Sequence, residues 1–318
     1  MTRPVTNIVV TCTKRKSVVP VPYLCLGSVL NPDPMEMAKS WLTRLRSSKG
    51  RKISAVNLYQ GDHWQVAKSL LKRETHRSDI RLWVCSAGYG LIPADAQLMP
   101  YSATFSSGHP DSVSDRFRTL NVGLSVWWDK LSRWSGPCNG PPRTLESLVN
   151  QDPRSRLIIV ASDVYLSAIS DDIEAARGSL LDANKMLIFS GTGKLTGTAQ
   201  ENIVPCESKL QGMLGGALMS LNIRTLRWVL DTIPPSKLTP THVRAVLQAT
   251  ANLQPNSTRT IRQPLTDSEI QSFLSKRLTE SGHTSATSLL KDFRSNGFAC
   301  EQKRFKKIFQ LVAEKNCG

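Results

Sequence analysis

Five apolar runs mark out the first two-thirds of the chain: TNIVVTC (6–12), KISAVNLY (52–59), IRLWVCS (80–86), RLIIVAS (156–162) and KMLIFSG (185–191). Each is continuous rather than alternating, the pattern of a strand covered on both faces in a parallel sheet between helices. Helical spacing fills the intervals. In PMEMAKSWLTRLRSS (34–48), Met37, Trp41, Leu42 and Leu45 share one face, and WQVAKSLLKRE (64–74) reads as a second helix. The alternation predicts an α/β three-layer sandwich with a mainly parallel sheet over residues 1–235. Residues 107–153 read as an insertion with a helix over 122–134. Adjacent Trp127 and Trp128 there either split between core and solvent or lie on a helix sandwiched between layers.

Beyond this domain, residues 236–265 hold four basic residues and no acid, and read as a basic linker. Residues 266–318 predict a small all-α domain. Thr266 and Glu269 form a capping-box pattern at its start. In its last helix Phe305, Ile308, Phe309 and Val312 make an apolar stripe beside Lys303, Arg304, Lys306 and Lys307. Three short helices with a basic third one resemble a helix-turn-helix module.

Charge sharpens the picture. The 318 residues carry a formal net charge of +16, and residues 1–53 alone hold ten Lys and Arg against two acids. A polyanionic partner is expected, DNA first. No run of about 18 apolar residues offers a membrane span, and MTRPVTNIVV lacks the form of a secretory signal. Seven scattered cysteines without a CxxC pair predict a reduced, cytoplasmic chain without structural zinc. No HExxH or EF-hand loop appears, so neither metal nor other cofactor is expected.

In a parallel α/β sheet, ligands bind outside the carboxyl ends of the strands. Those outlets deliver Lys14, Arg15 and Lys16 after the first run and His63 after the second. Ser86, Tyr89, Asp95 and Tyr101 follow the third, Asp163 the fourth and Lys194 the fifth. Cations suit phosphates, rings suit bases, and an acid suits charge stabilisation. Asp163 and Glu207 are the candidate catalytic carboxylates, although either can instead favour a helix N-terminus. Asn222 is either a base-reading or water-holding group or a satisfied core amide. GTGKLTG (191–197) lacks the phosphate-loop spacing.

TCTKRK (11–16), LYQGDHWQVAK (58–68) and CSAGYGLIPADAQLMPYSATF (85–105) resemble a bacterial domain family. Its members carry a Cys-x-Lys-x-Lys turn, a Tyr before a hydrophobic helix, and a Ser-Ala-x-x-Gly-Leu…Pro-Tyr-x-x-Thr loop. The resemblance covers about the first 110 residues. This chain departs from it at Gly88-Tyr89, where many members carry Lys-His, and at Ser102, where many carry Asp. The family is distantly similar to the uracil-DNA glycosylase and deazaguanine-modification folds. With the basic helical tail, the architecture resembles the bacterial anti-phage glycosylases that remove glucosylated hydroxymethylcytosine from DNA. The resemblance implies a DNA N-glycosylase that leaves abasic sites in phage DNA. A deazaguanine-type transglycosylase and a non-catalytic DNA-binding protein are the alternatives. The Gly-Gln-Asp-Pro water-activating motif of uracil-DNA glycosylases is absent after the first run, where Thr-Cys-Thr-Lys stands. On the glycosylase reading, Tyr89 and Tyr101 form a stacking clamp for an everted base, with Ser86, Asp95 and Asn222 around it.

Overall fold

Four of the five apolar runs pair side by side, because each buries both of its faces and leaves its backbone to be satisfied only by neighbouring strands. The computed structural model describes residues 4–31, 33–72, 79–192, 195, 197–255, 262–281 and 285–316. They fall into two compact units, Met1–Pro255 and Asn256–Gly318.

The first unit runs β1 (Val5–Thr11), α1 (Pro34–Ser47), β2 (Ile53–Ser54), α2 (Ala55–Leu58), α3 (Asp62–Leu71), β3 (Asp79–Ser86), β4 (Gly90–Pro93) and β5 (Gln97–Leu98). It continues through α4 (Val113–Thr119), α5 (Leu124–Ser132), α6 (Leu145–Asn150), β6 (Arg156–Val160), α7 (Asp163–Ala168), α8 (Ser170–Ser179), β7 (Met186–Ser190) and β8 (Ile203–Pro205). It closes with α9 (Gln211–Leu214), α10 (Leu221–Thr232) and α11 (Pro240–Asn252).

The central sheet has the order β4-β3-β1-β6-β7-β8. All its pairs are parallel except β3 with β4. Helices cover both sides, as the α/β reading expects. α3 and α10 pack on each other, with α3 against β3 and α10 against β6 and β7, while α1, α5 and α7 form another packed row. Trp127 and Trp128 are both buried on α5, the sandwiched-helix outcome. Trp127 Nε1 donates to Ala87 O (2.8 Å) and Trp128 Nε1 to Asp172 Oδ2 (3.0 Å).

Three features differ from expectation. KISAVNLY is not a strand of the main sheet. Ile53–Ser54 pairs with Gln97–Leu98 in a separate ribbon, and the next four residues are helical. Its buried Ala55, Leu58 and Tyr59 also satisfy helical spacing, so the apolar run was ambiguous. Within the stretch read as a loop after β3, Gly90 takes φ +74 and the chain returns as β4, so that Trp83 faces Pro93. Finally, the segment read as a linker over 236–265 contains α11. Val243, Leu247 and Ala251 of that helix lie in the main core, and Arg244 Nη1 donates to the carbonyls of Glu201 and Ile203. The first unit therefore reaches Pro255 rather than residue 235.

The second unit contains β9 (Gln263–Pro264), α12 (Asp267–Ser281), α13 (Ala286–Ser295), β10 (Phe298–Ala299) and α14 (Gln302–Asn316). Ile270, Leu274, Leu289, Leu290, Phe293, Phe305, Ile308 and Val312 close its own apolar core. The capping box forms: Thr266 N donates to Glu269 Oε2 (2.7 Å), and Glu269 N to Thr266 Oγ1 (3.4 Å). The two-residue β9–β10 pairing, parallel, is the one departure from an all-α description among the described residues.

Candidate functional site

β1 lies between β3 and β6, so the chain leaves β1 toward one half of the sheet and later builds the other half beyond it. The carboxyl ends of β1 and β6 are therefore the topological switch point, where α/β sheets open a crevice. After β1 come Cys12, Thr13, Lys14, Arg15 and Lys16, and after β6 come Ser162, Asp163 and Tyr165.

Two constellations occupy this edge. The first is a closed tyrosine cluster. Tyr101 Oη lies 2.6 Å from Ser86 Oγ and 2.9 Å from Tyr59 Oη. Ser86 Oγ accepts from the backbone N–H of Gly88 (3.2 Å) and Tyr89 (3.0 Å). With both lone pairs engaged, the Ser86 hydroxyl must donate to Tyr101, which then donates to Tyr59. Lys16 Nζ stands 4.5 Å from the Tyr101 ring centroid and 5.8 Å from that of Tyr59, and donates to Thr13 O (3.2 Å). Burial pulls the Lys16 amine below its ordinary pKa, against the opposing pull of Cys12, Asp111 and Cys25. Burial likewise pushes the Tyr59 and Tyr101 phenols well up. Cys12 Sγ and Tyr165 Oη share a contact of 3.3 Å on the β6 side. All three motif stretches thus meet here, in Cys12 and Lys16, in Tyr59, and in Ser86 and Tyr101.

This closure corrects the base-clamp expectation. Tyr101 is 0% and Tyr89 2% exposed, and their rings meet edge to face at 4.9 Å. Neither face is open to a base. Tyr89 Oη instead donates to Met99 O and accepts from Met99 N, both at 3.2 Å. Ser86 is wholly enclosed. A Cβ at residue 88 would run into the Tyr101 ring at Cε2, so glycine at this position and the closed ring go together. The other departure has a counterpart: Ser102 Oγ donates to Asp111 Oδ2 (2.5 Å), and Gly27 N donates to Asp111 Oδ1 (2.6 Å). A carboxylate from further along the chain thus stands beside Ser102.

The second constellation is open. Ser190 Oγ at the end of β7 donates to Asp163 Oδ1 (2.7 Å), and Asp163 is half-buried in the first turn of α7. No side-chain capping bond is made at that helix start, but Asp163 lies in its first turn, where the helix dipole favours a carboxylate, so its place at a helix N-terminus stands beside its bond to Ser190. Glu207 is half-buried just beyond β8 at the same edge. Half-buried Asn222 donates from Nδ2 to Ala161 O (3.1 Å), bracing the β6 outlet. Lys14 and Arg15 are exposed.

Other expected site residues are elsewhere or differently engaged. Asp95 follows the returning β4, where Ala94 N donates to Leu82 O, so the hairpin carries it toward the amino end of β3. Among the described residues His63 Nε2 is buried without a hydrogen-bond partner, and burial holds its imidazole down to about 4. It is therefore neutral at pH 7 and no phosphate-binding cation. Lys194 lies outside the described residues. Lys303, Lys306 and Lys307 are exposed on α14, but Arg304 Nη2 is held by Asp267 Oδ1 (2.5 Å) and Leu265 O (3.0 Å). Asp111 was not foreseen, and only the Ser102 departure pointed toward a displaced acid. Tyr59 ends the second apolar run and Tyr165 follows the fourth, and neither had an expected role, while Cys12 is buried as a small apolar residue at a strand end is expected to be.

Among the described residues, no group of three or more His, Cys, Asp or Glu could hold a metal, and no helix is long and apolar enough to cross a membrane. No protein-family model, curated protein or solved structure matches the chain.

Proposed function

We propose that this chain is a DNA N-glycosylase working at the β1/β6 crevice. The observation that carries the reading is Asp163, held by Ser190 at 2.7 Å beside the outlet that presents exposed Lys14 and Arg15. Lys14 and Arg15 take phosphates of the strand, and the target nucleotide leaves the stack at a cost of a few kcal/mol. As the C1′–N bond breaks, its electron pair goes to the base and positive charge grows on the sugar. The Asp163 carboxylate stabilises that charge and orients the water that attacks C1′, accepting its proton. Ser190 keeps the carboxylate in one rotamer.

The exposed Lys303, Lys306 and Lys307 of the second unit supply further phosphate contacts, in a helix-turn-helix-like role. The finer fold relation, to uracil-DNA glycosylases, and the substrate, glucosylated hydroxymethylcytosine of phage DNA, rest on the motif resemblance. Mass spectrometry of small products, with alkali treatment of modified and plain DNA, tests the reading. We expect release of a modified base and strand breaks only after alkali. In Asp163→Asn both fall by about 10²–10⁴-fold. Full activity in that variant removes Asp163 from the chemistry. Incorporation of an added deazaguanine points to the transglycosylase.

One observation favours a second reading, a non-catalytic DNA-binding protein: the tyrosine pair best suited to grip a base is shut. Salt-sensitive DNA binding without any released product supports it.

A further inference from the structure

A hollow of about 300 Å³ opens beside Tyr89, and Tyr101 is not among its lining residues. Exposed Arg46 and Lys52 stand at its rim, with Gln97 beside them, and Tyr89, Met99 and Trp134 form its floor. The backbone of two floor residues, Tyr89 and Trp134, is held by Arg143. Arg143 Nε donates to Trp134 O (3.0 Å), Nη1 to Leu91 O, and Nη2 to Tyr89 O and to Leu131 O (3.2 Å). Among the described residues, all of its hydrogen bonds go to backbone carbonyls, and no carboxylate pairs with it. Burial lowers its pKa to about 10, so it remains a cation at neutral pH. Arg143 and the two exposed cations outnumber exposed Asp95, which acts on the same Cys138 as Arg143 and Lys52, so the surroundings of the hollow are net positive and favour an anion.

We propose that this hollow binds one phosphate-bearing nucleotide unit. A phosphate alone would leave most of the space empty, and the volume is at the lower end of ordinary ligand pockets, about 300–1,000 Å³. The phosphate sits between Arg46 and Lys52. The ring rests over Met99 with its edge toward Gln97, whose amide both donates and accepts. Trp134 is 7% and Tyr89 2% exposed, so the floor contributes contact rather than a sandwich, and the cations dominate affinity. Nothing in this depends on base excision. The site is separate from the Asp163 corner, and the unit it holds belongs either to a DNA strand or to a free mononucleotide.

Calorimetric titration of the full chain with dCMP, deoxycytidine, inorganic phosphate and a short single-stranded oligonucleotide tests the proposal. Arg46→Ala/Lys52→Ala changes only exposed side chains, and its fold is checked by circular dichroism. We expect the double variant to weaken nucleotide binding by about tenfold or more. Gln97→Ala should weaken it less. Loss for dCMP identifies a mononucleotide site, and loss confined to the oligonucleotide identifies a strand-binding site. Equal affinity for inorganic phosphate and dCMP overturns the nucleotide assignment. Unchanged binding of every probe in the double variant overturns the site. Absence of base release by the wild-type protein would sink the glycosylase reading and leave these outcomes untouched.

Discussion

The tyrosine cluster and the Asp163 corner sit at the same sheet edge, yet they are built for opposite ends. Around Tyr101, every hydroxyl is consumed internally and the lysine amine lies against ring faces. Around Asp163, one serine holds the carboxylate and the residue keeps part of its surface. Chemistry-bearing residue types thus mark the edge without saying which of them act. Tyrosine, serine and lysine bury together because buried hydroxyls left unpaired cost about 1–3 kcal/mol each. Once they are mutually satisfied, they set the shape of the outlet on which the open carboxylate stands.

Four measurements break or sharpen this contrast. Tyr101→Ala should be the most damaging to stability, at about 3–5 kcal/mol by urea unfolding, since it empties a fully enclosed aromatic site. Asp163→Asn should leave the unfolding midpoint nearly unchanged while removing base release. The reverse pattern, a harmless Tyr101→Ala and an unstable Asp163→Asn, would invert the assignment of roles.

Next is a pH effect. His63 stands on α3, which packs on α10, the helix whose Asn222 braces the β6 outlet. Its imidazole titrates at about 4 when folded, against 6.5 ordinarily. Between those values the unfolded chain binds more protons, so stability falls as pH drops from 6.5 toward 4. The loss approaches about 3 kcal/mol at the acid end. Stability measured across this range should flatten in His63→Gln. An equal acid slope in that variant would show that other groups carry it.

The smallest effect belongs to the exposed cations. Lys14→Ala and Arg15→Ala should each weaken DNA binding and reduce the slope of log affinity against log salt by about 1. Lys16→Ala should act chiefly on stability, because its amine lies over Tyr101. A salt-slope change larger for Lys16 than for Lys14 would place phosphate deeper in the cluster.

The sheet was legible wherever a run was apolar on both faces, as in RLIIV and MLIFS, where packing leaves no alternative to a central strand. KISAVNLY failed because its apolar positions serve a helical turn as well as a strand. GLIP was hidden inside a motif-rich stretch, and its role as β4 depends on the turn that Gly90 permits. Part of the site was readable, since Lys16, Ser86, Tyr101 and Asp163 all reached the expected edge. Their accessibility was not. It is decided by the Tyr101 ring occupying the space above Gly88 and by hydroxyl pairing between segments far apart in sequence. Asp111 was out of reach for the same reason, as its partners are Gly27 and Ser102. Position alone likewise could not separate Arg304, paired with Asp267, from the lysines around it.

The two apolar cores share no buried residue. Heating the chain tests whether each core melts by itself: two endotherms would separate the three-helix unit from the sheet, and one would show that they unfold together. A substitution at Tyr101, which lies in the core of the first unit, then reports which transition belongs to the sheet.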